Sequence, residues 1–259
     1  MLPLKKFDLT DIVKNLVTED DEPVDNLFSA KQQRLLVEPL YSSWVPLPAE
    51  EESAPTPRPF LADANVGVFF SVYQQPLVPD MFLSLDIEMG KDWNADETRS
   101  YLVWELGKVP EAVVEIVSNQ EGNELGSKLK RYAEWGVTYY VVFDPFHELG
   151  ETVLCVYELG FGKRLRPRKD FILPTLGLSL SLWEGTYEGV TDTWLRWCDQ
   201  DGQLILTGKE GRAQAEAYAM QAVQRADSAE AEVAQLRAEL ERLRSSPSSY
   251  RDQEKEIPE

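Results

Sequence analysis

Glu115 lies inside residues 112–117, a run of small and β-branched apolar residues that reads as a strand buried on both faces. An ionised carboxylate without a partner in such an interior costs several kcal/mol, so it must be paired, protonated or on a metal. A second carboxylate, Asp80, follows Pro79 at the entry to another strand-type segment. Two carboxylates on neighbouring strands suit a hard divalent cation such as Mg²⁺, which takes oxygen ligands and keeps waters. Lys128 completes the set. In "ELGSKLKRYAEWG" Leu125, Leu129, Tyr132 and Gly136 line one helical face, and Lys128 borders it, within reach of Glu115. Lys130 and Arg131 fall on the solvent side. Each residue also has a plainer reading: Glu115 paired with a structural cation, Asp80 capping a turn, Lys128 a stem lying along the surface.

The elements that must position these residues are legible in the pattern. Residues 28–44 have helical spacing through Leu35, Leu36 and Leu40, with Pro39 expected to end or kink the helix. Residues 46–60 are Pro- and Glu-rich and read as a loop, after the acidic stretch "TEDDEPVD" at 18–25. "NVGVFFSVYQQ", "DMFLSLDIE", "VVEIVS" and "TYYVVF" read as strands, and residues 124–136 as a helix closed by Gly136. "TVLCVYEL" and "KRLRPRKDFIL" pair as a hairpin, followed by the alternating strand "GLSLSLWEG" and a turn at Asp201 and Gly202. The order predicts an α/β fold, a mixed sheet flanked by helices with additional C-terminal strands.

Composition bounds the function. The chain has 259 residues and a formal charge of −19, which repels polyanions at long range, so any nucleic-acid binding must be local and metal-assisted. The dense basic cluster is Lys163, Arg164, Arg166, Arg168 and Lys169, which either grips phosphates or guards an edge strand. Cys155 and Cys198 lack CxxC spacing, and the single histidine, His147, excludes His-rich metal sites. No long apolar run or secretory signal is evident, so a soluble cytoplasmic protein with no membrane partner is expected.

Taken together, "VPD", "PEAVVEIVS" and "ELGSKLKRYAEWGVTYYVVFDP" resemble the Uma-two restriction-endonuclease family, a branch of the PD-(D/E)XK nuclease superfamily. The likeness runs from about residue 28 to 207 and is most specific across 110–145. It implies a restriction-endonuclease-like fold in which Asp80 matches the Pro-Asp aspartate and Glu115 the second half-motif. Val117 stands where the superfamily carries a lysine on the strand, and the resemblance assigns that role to Lys128 from the following helix. "SNQEGNELG" also departs from the relatives' Ser-Pro-Ser-Thr-like turn. The implied chemistry is hydrolysis of DNA phosphodiesters with Mg²⁺ or Mn²⁺ held by Asp80, Glu115 and the Ile116 carbonyl. Lys128 would orient water, with Glu38 a further ligand through water.

From Lys209 onward Ala215, Ala219, Ala222, Ala226, Ala229, Val233, Leu236, Leu240 and Leu243 alternate spacings of three and four, a heptad seam. The expected organisation is an acidic segment 1–27, a nuclease-like domain 28–208, a long coiled-coil helix 209–245 and a disordered polar tail 246–259. Two functions remain open from sequence: a homodimeric DNA endonuclease, or an inactive nuclease-like fold that binds or scaffolds through its coiled coil.

Overall fold

The structure, a computed structural model, describes residues 26–48, 58–88, 99–119 and 123–245. The acidic stretch 18–25, most of the Pro- and Glu-rich loop, part of "SNQEGNELG" and the tail from 246 lie outside the described residues. The chain divides into two compact units, Met1–Gly208 and Lys209–Glu259.

Unit one is built on a six-stranded mixed sheet in the order β1-β3-β5-β6-β7-β8. Its strands are β1 (Phe60–Asp63), β3 (Met81–Leu85), β5 (Ala112–Ile116), β6 (Tyr139–Phe143), β7 (Leu154–Gly160) and β8 (Arg164–Pro167). Only β5 and β6 pair in parallel; their neighbours run antiparallel. A parallel pair needs a crossover connection, and the helix between β5 and β6 supplies it. Both strands are buried along their whole length, the consequence of helices and strands covering each face.

On one face Ala112, Val114 and Ile116 join a core with helix α1 (Leu27–Ser43) and the C-terminal strands. On the other, Val113 and Val117 pack with Tyr132, Ala133 and Trp135. Helix α1 opens on Asn26, whose side chain accepts the Ser29 amide at 2.8 Å. It does not end at Pro39: it continues to Ser43, because Leu35, Leu36 and Leu40 are buried and tertiary packing holds the turn that proline weakens.

The segment "NVGVFFSVYQQ" is corrected from a full strand to β2 (Val68–Phe69), paired in parallel with β4 (Tyr101–Leu102). Val68 exchanges backbone hydrogen bonds with Leu77 at 2.7 and 3.1 Å, so the chain folds back before a longer strand can form. β1 begins at Phe60, the last residue of the stretch read as a loop, and continues to Asp63. A one-turn helix α2 (Val103–Leu106) follows β4.

A second sheet, β11-β10-β9, comprises β9 (Ile172–Leu173), β10 (Leu178–Tyr187) and β11 (Val190–Cys198). Buried Gln32 ties it to α1: its side chain donates to the Leu195 carbonyl at 2.8 Å and accepts the Leu195 amide at 2.9 Å. Between β5 and β6 lie a π-helical turn (Glu124–Lys128) and helix α3 (Leu129–Trp135), closed by Gly136 at φ 97°. That left-handed cap is strained for any residue with a Cβ. The last element, α4 (Gly208–Ser245), is a 38-residue helix with no buried residue.

Candidate functional site

The pairing of β3 with β5 sets Met81 against Val114, which places Asp80 at the strand entry across from Glu115. Asp80 is buried, and both its oxygens are engaged. Oδ2 accepts the Ile116 amide at 2.7 Å and Oδ1 accepts Gln33 Nε2, also at 2.7 Å. Gln33 is itself held by Asn65, which donates to Gln33 Oε1 at 3.0 Å and accepts from its Nε2 at 3.1 Å. Asn65 adopts φ 55° and its amide donates to the Pro79 carbonyl at 3.3 Å, tying the loop to the residue before Asp80.

Glu115 is 1% exposed. The two-residue period of a strand turns it to the same face as Val113 and Val117, toward α3. There Lys128 Nζ donates to Oε2 at 2.9 Å and the Tyr132 hydroxyl to Oε1 at 2.8 Å. Lys128 and Tyr132 are four apart, one helical turn, so a single helix end meets both oxygens. Burial pushes the Glu115 carboxyl up to about 7, against the pull of Lys128, and the charge of Asp80 pushes the same way. Burial pulls the Lys128 ammonium down, but Glu115 and Glu124 outweigh it and leave its pKa raised. The Tyr132 phenol is raised well above its ordinary value, first by burial and then by Glu115, so it stays a hydrogen-bond donor.

The π turn adds a third acid. Lys128 also donates to Glu124 Oε1 at 3.3 Å, while Glu124 is 5% exposed and its Oε2 has no hydrogen-bond partner. The π-type bond from the Lys128 amide to the Asn123 carbonyl, 3.4 Å, winds this turn wider than an α-helix. A Cβ at Gly126 would run into the Asn123 side chain, which would have to shift. The Tyr140 hydroxyl, from β6, donates to the Glu124 carbonyl at 3.0 Å and anchors the turn from below.

Asp80, Glu115 and Glu124 carry three negative charges against one ammonium when ionised. All offer hard oxygen, and one of those oxygens is buried and unpartnered. The donor chemistry fits a divalent cation held by Asp80 and Glu115 and completed by water. Among the described residues, however, no three acidic, histidine or cysteine side chains converge on one point, so such an ion would rely on the pair.

The structure does not bring the basic cluster to this centre. Arg164 and Arg166 lie on β8 at the edge of the sheet, three strands from β5 and so roughly 14 Å away across the sheet. Arg168 pairs with Glu158 and Asp170, and Lys163 donates to the Glu134 carbonyl. Glu38 Oε1 accepts from Ser42 and from the Gly208 amide, while its Oε2 is buried without a hydrogen-bond partner. The residues that sequence reasoning missed are Gln33, Asn65, Tyr132, Glu124 and Tyr140. Glu124 alone left a trace, four residues before Lys128 on a helical pattern.

A mixed sheet with an acid at one strand entry, a buried acid on the next strand and a lysine from the crossover between β5 and β6 makes this an α/β domain with a charged site on its central strands. Residues 28–181 match the Uma2 family, described as "Putative restriction endonuclease", and the chain belongs to that family. A solved structure described as a "putative nuclease belonging to DUF820 from Anabaena variabilis ATCC 29413" is similar at 12% identity and a TM-score of 0.32; the match covers 45% of this chain and 62% of that one. No curated protein matches the chain.

Proposed function

We propose that this protein is a Mg²⁺-dependent endonuclease that hydrolyses DNA phosphodiesters in the cytoplasm, with Asp80, Glu115 and Lys128 as its working residues. Residues 28–208 form the nuclease domain, and residues 209–245 hold two copies together as a homodimer. The observation that carries the reading is the buried Glu115 carboxylate, set across from Asp80 and bonded to Lys128. Asp80 and Glu115, with the Ile116 carbonyl, would hold Mg²⁺ or Mn²⁺, which when bound supplies charge neutralisation at the phosphoryl group and acidifies a water. Lys128 orients the attacking water and offsets charge on the phosphorane. Tyr132 fixes the Glu115 rotamer, and Gln33 with the Ile116 amide fixes Asp80. Lys163, Arg164, Arg166 and Lys169 would contact phosphates away from the scissile bond, positioning a duplex without reading its sequence.

A second reading is a nuclease-like fold that has lost catalysis and works as a scaffold through its C-terminal helix. It is favoured by Val117 where the superfamily places lysine, and by both Glu115 oxygens already being satisfied within the protein. Cleavage assays on plasmid, linear duplex and single-stranded DNA with Mg²⁺ or Mn²⁺ decide between them. Wild type should cut, chelation should stop it, and Glu115→Gln should be inactive yet folded. Intact DNA under every condition with both metals removes the enzymatic reading.

A further inference from the structure

Helix α4 exposes Val233, Leu236, Leu240 and Leu243 at 46, 54, 55 and 69% of their surface. None of its 38 residues is buried among the described residues, and tertiary packing of an apolar face is what ordinarily stabilises a helix. Such an apolar line, regular and flanked by charge, is the seam of a helix that takes a partner.

The charges beside the seam identify the partner and its direction. With Val233 and Leu240 at a positions and Leu236 and Leu243 at d, the g positions carry Arg225, Glu232 and Glu239. The e positions carry Glu230, Arg237 and Arg244. In a parallel, in-register pair each g residue faces the e residue five positions later on the other helix. Arg225 then meets Glu230, Glu232 meets Arg237, and Glu239 meets Arg244, each twice by symmetry and every one of opposite sign. The preceding pair, Tyr218 with Val223, is apolar. An antiparallel pair sets g against g and e against e. Each set holds two charges of one sign and one of the other, so a full overlap cannot match them all. A β-branched residue at a with leucine at d, as in Val233 and Leu236, favours two strands over three.

We propose that α4 forms a parallel, in-register, two-stranded coiled coil with a second copy of this chain, its register set by the pairs Arg225–Glu230, Glu232–Arg237 and Glu239–Arg244. This rests on the homodimer of the proposed function and deepens it. Both copies of residue 208 then lie at the same end of the coil.

The test uses the full-length chain. Sedimentation equilibrium of wild type should give a dimer. Glu232→Arg with Glu239→Arg, and separately Arg237→Glu with Arg244→Glu, should each weaken self-association by at least about tenfold, since like charges then face each other. Mixing the two variants should restore a one-to-one dimer, because every g–e pair is again of opposite sign. Ala229→Cys, at a d position, should cross-link to its own copy under oxidation while wild type does not. A monomeric wild type overturns both the homodimer and this inference. A dimer indifferent to both charge reversals, or one in which Ala229→Cys fails to cross-link, overturns the parallel register alone and leaves the homodimer standing.

Discussion

Lys128 follows Glu115 by thirteen residues in the chain and stands 2.9 Å from its Oε2 atom in the fold. The crossover from β5 to β6 must pass over the sheet, and the first turn of that crossover delivers the ammonium to the buried acid. The same short connection therefore builds the fold and completes the site.

Replacing Lys128 by methionine should abolish cleavage and destabilise the protein by about 1–3 kcal/mol at pH 8, because a buried carboxylate loses its cation. The loss should shrink at pH 5, where Glu115 takes up a proton instead. Urea unfolding of wild type and Lys128→Met at both pH values measures this, and an equal loss at both would contradict it.

Glu115 should make stability fall as pH rises. Its carboxyl titrates at about 7 when folded, against 4.5 for the free group. Between those values the folded chain holds a proton that the unfolded chain has released. The contribution is therefore fully present below 4.5 and lost by about 7, amounting to about 3 kcal/mol across the window. Glu115→Gln should flatten this component. Chemical unfolding of both proteins from pH 4.5 to 8 gives the difference curve; parallel profiles would refute the assignment.

Gln33→Ala should lower stability by about 1–2 kcal/mol and reduce cleavage by about tenfold or more. It removes the Gln33 hydrogen bond to Asp80 Oδ1 and releases Asn65 together, although Gln33 touches no reacting atom. Circular dichroism should show the fold retained. Unchanged cleavage would mean that Gln33 is not needed to position Asp80.

Glu124→Gln should fold normally, since Glu124 Oε2 has no protein partner to lose, and should slow cleavage by about tenfold, or about 1.4 kcal/mol. Lys128 then has Glu115 as its sole carboxylate. Thermal melts beside single-turnover rates separate the two effects. A variant that cuts like wild type would reduce Glu124 to a structural role.

What the sequence determined by itself was local. β-Branched runs marked β5 and β6, Gly136 marked the end of α3, the three-four spacing marked α4, and an acid among aliphatics marked Glu115 as out of place. These signals depend on backbone preference and on period, which neighbouring residues set without help. The tertiary structure alone decided which groups satisfy the acids. Gln33 reaches Asp80 across 47 positions of chain, and Tyr132 reaches Glu115 from what reads only as an apolar helix face. It also decided that α1 runs through Pro39, that "NVGVFFSVYQQ" yields only the two paired residues of β2, and that the basic cluster stands at the far edge of the sheet. Hydrogen-bond partners and sheet order are set by packing between segments distant in the chain, and no local pattern of residues encodes them.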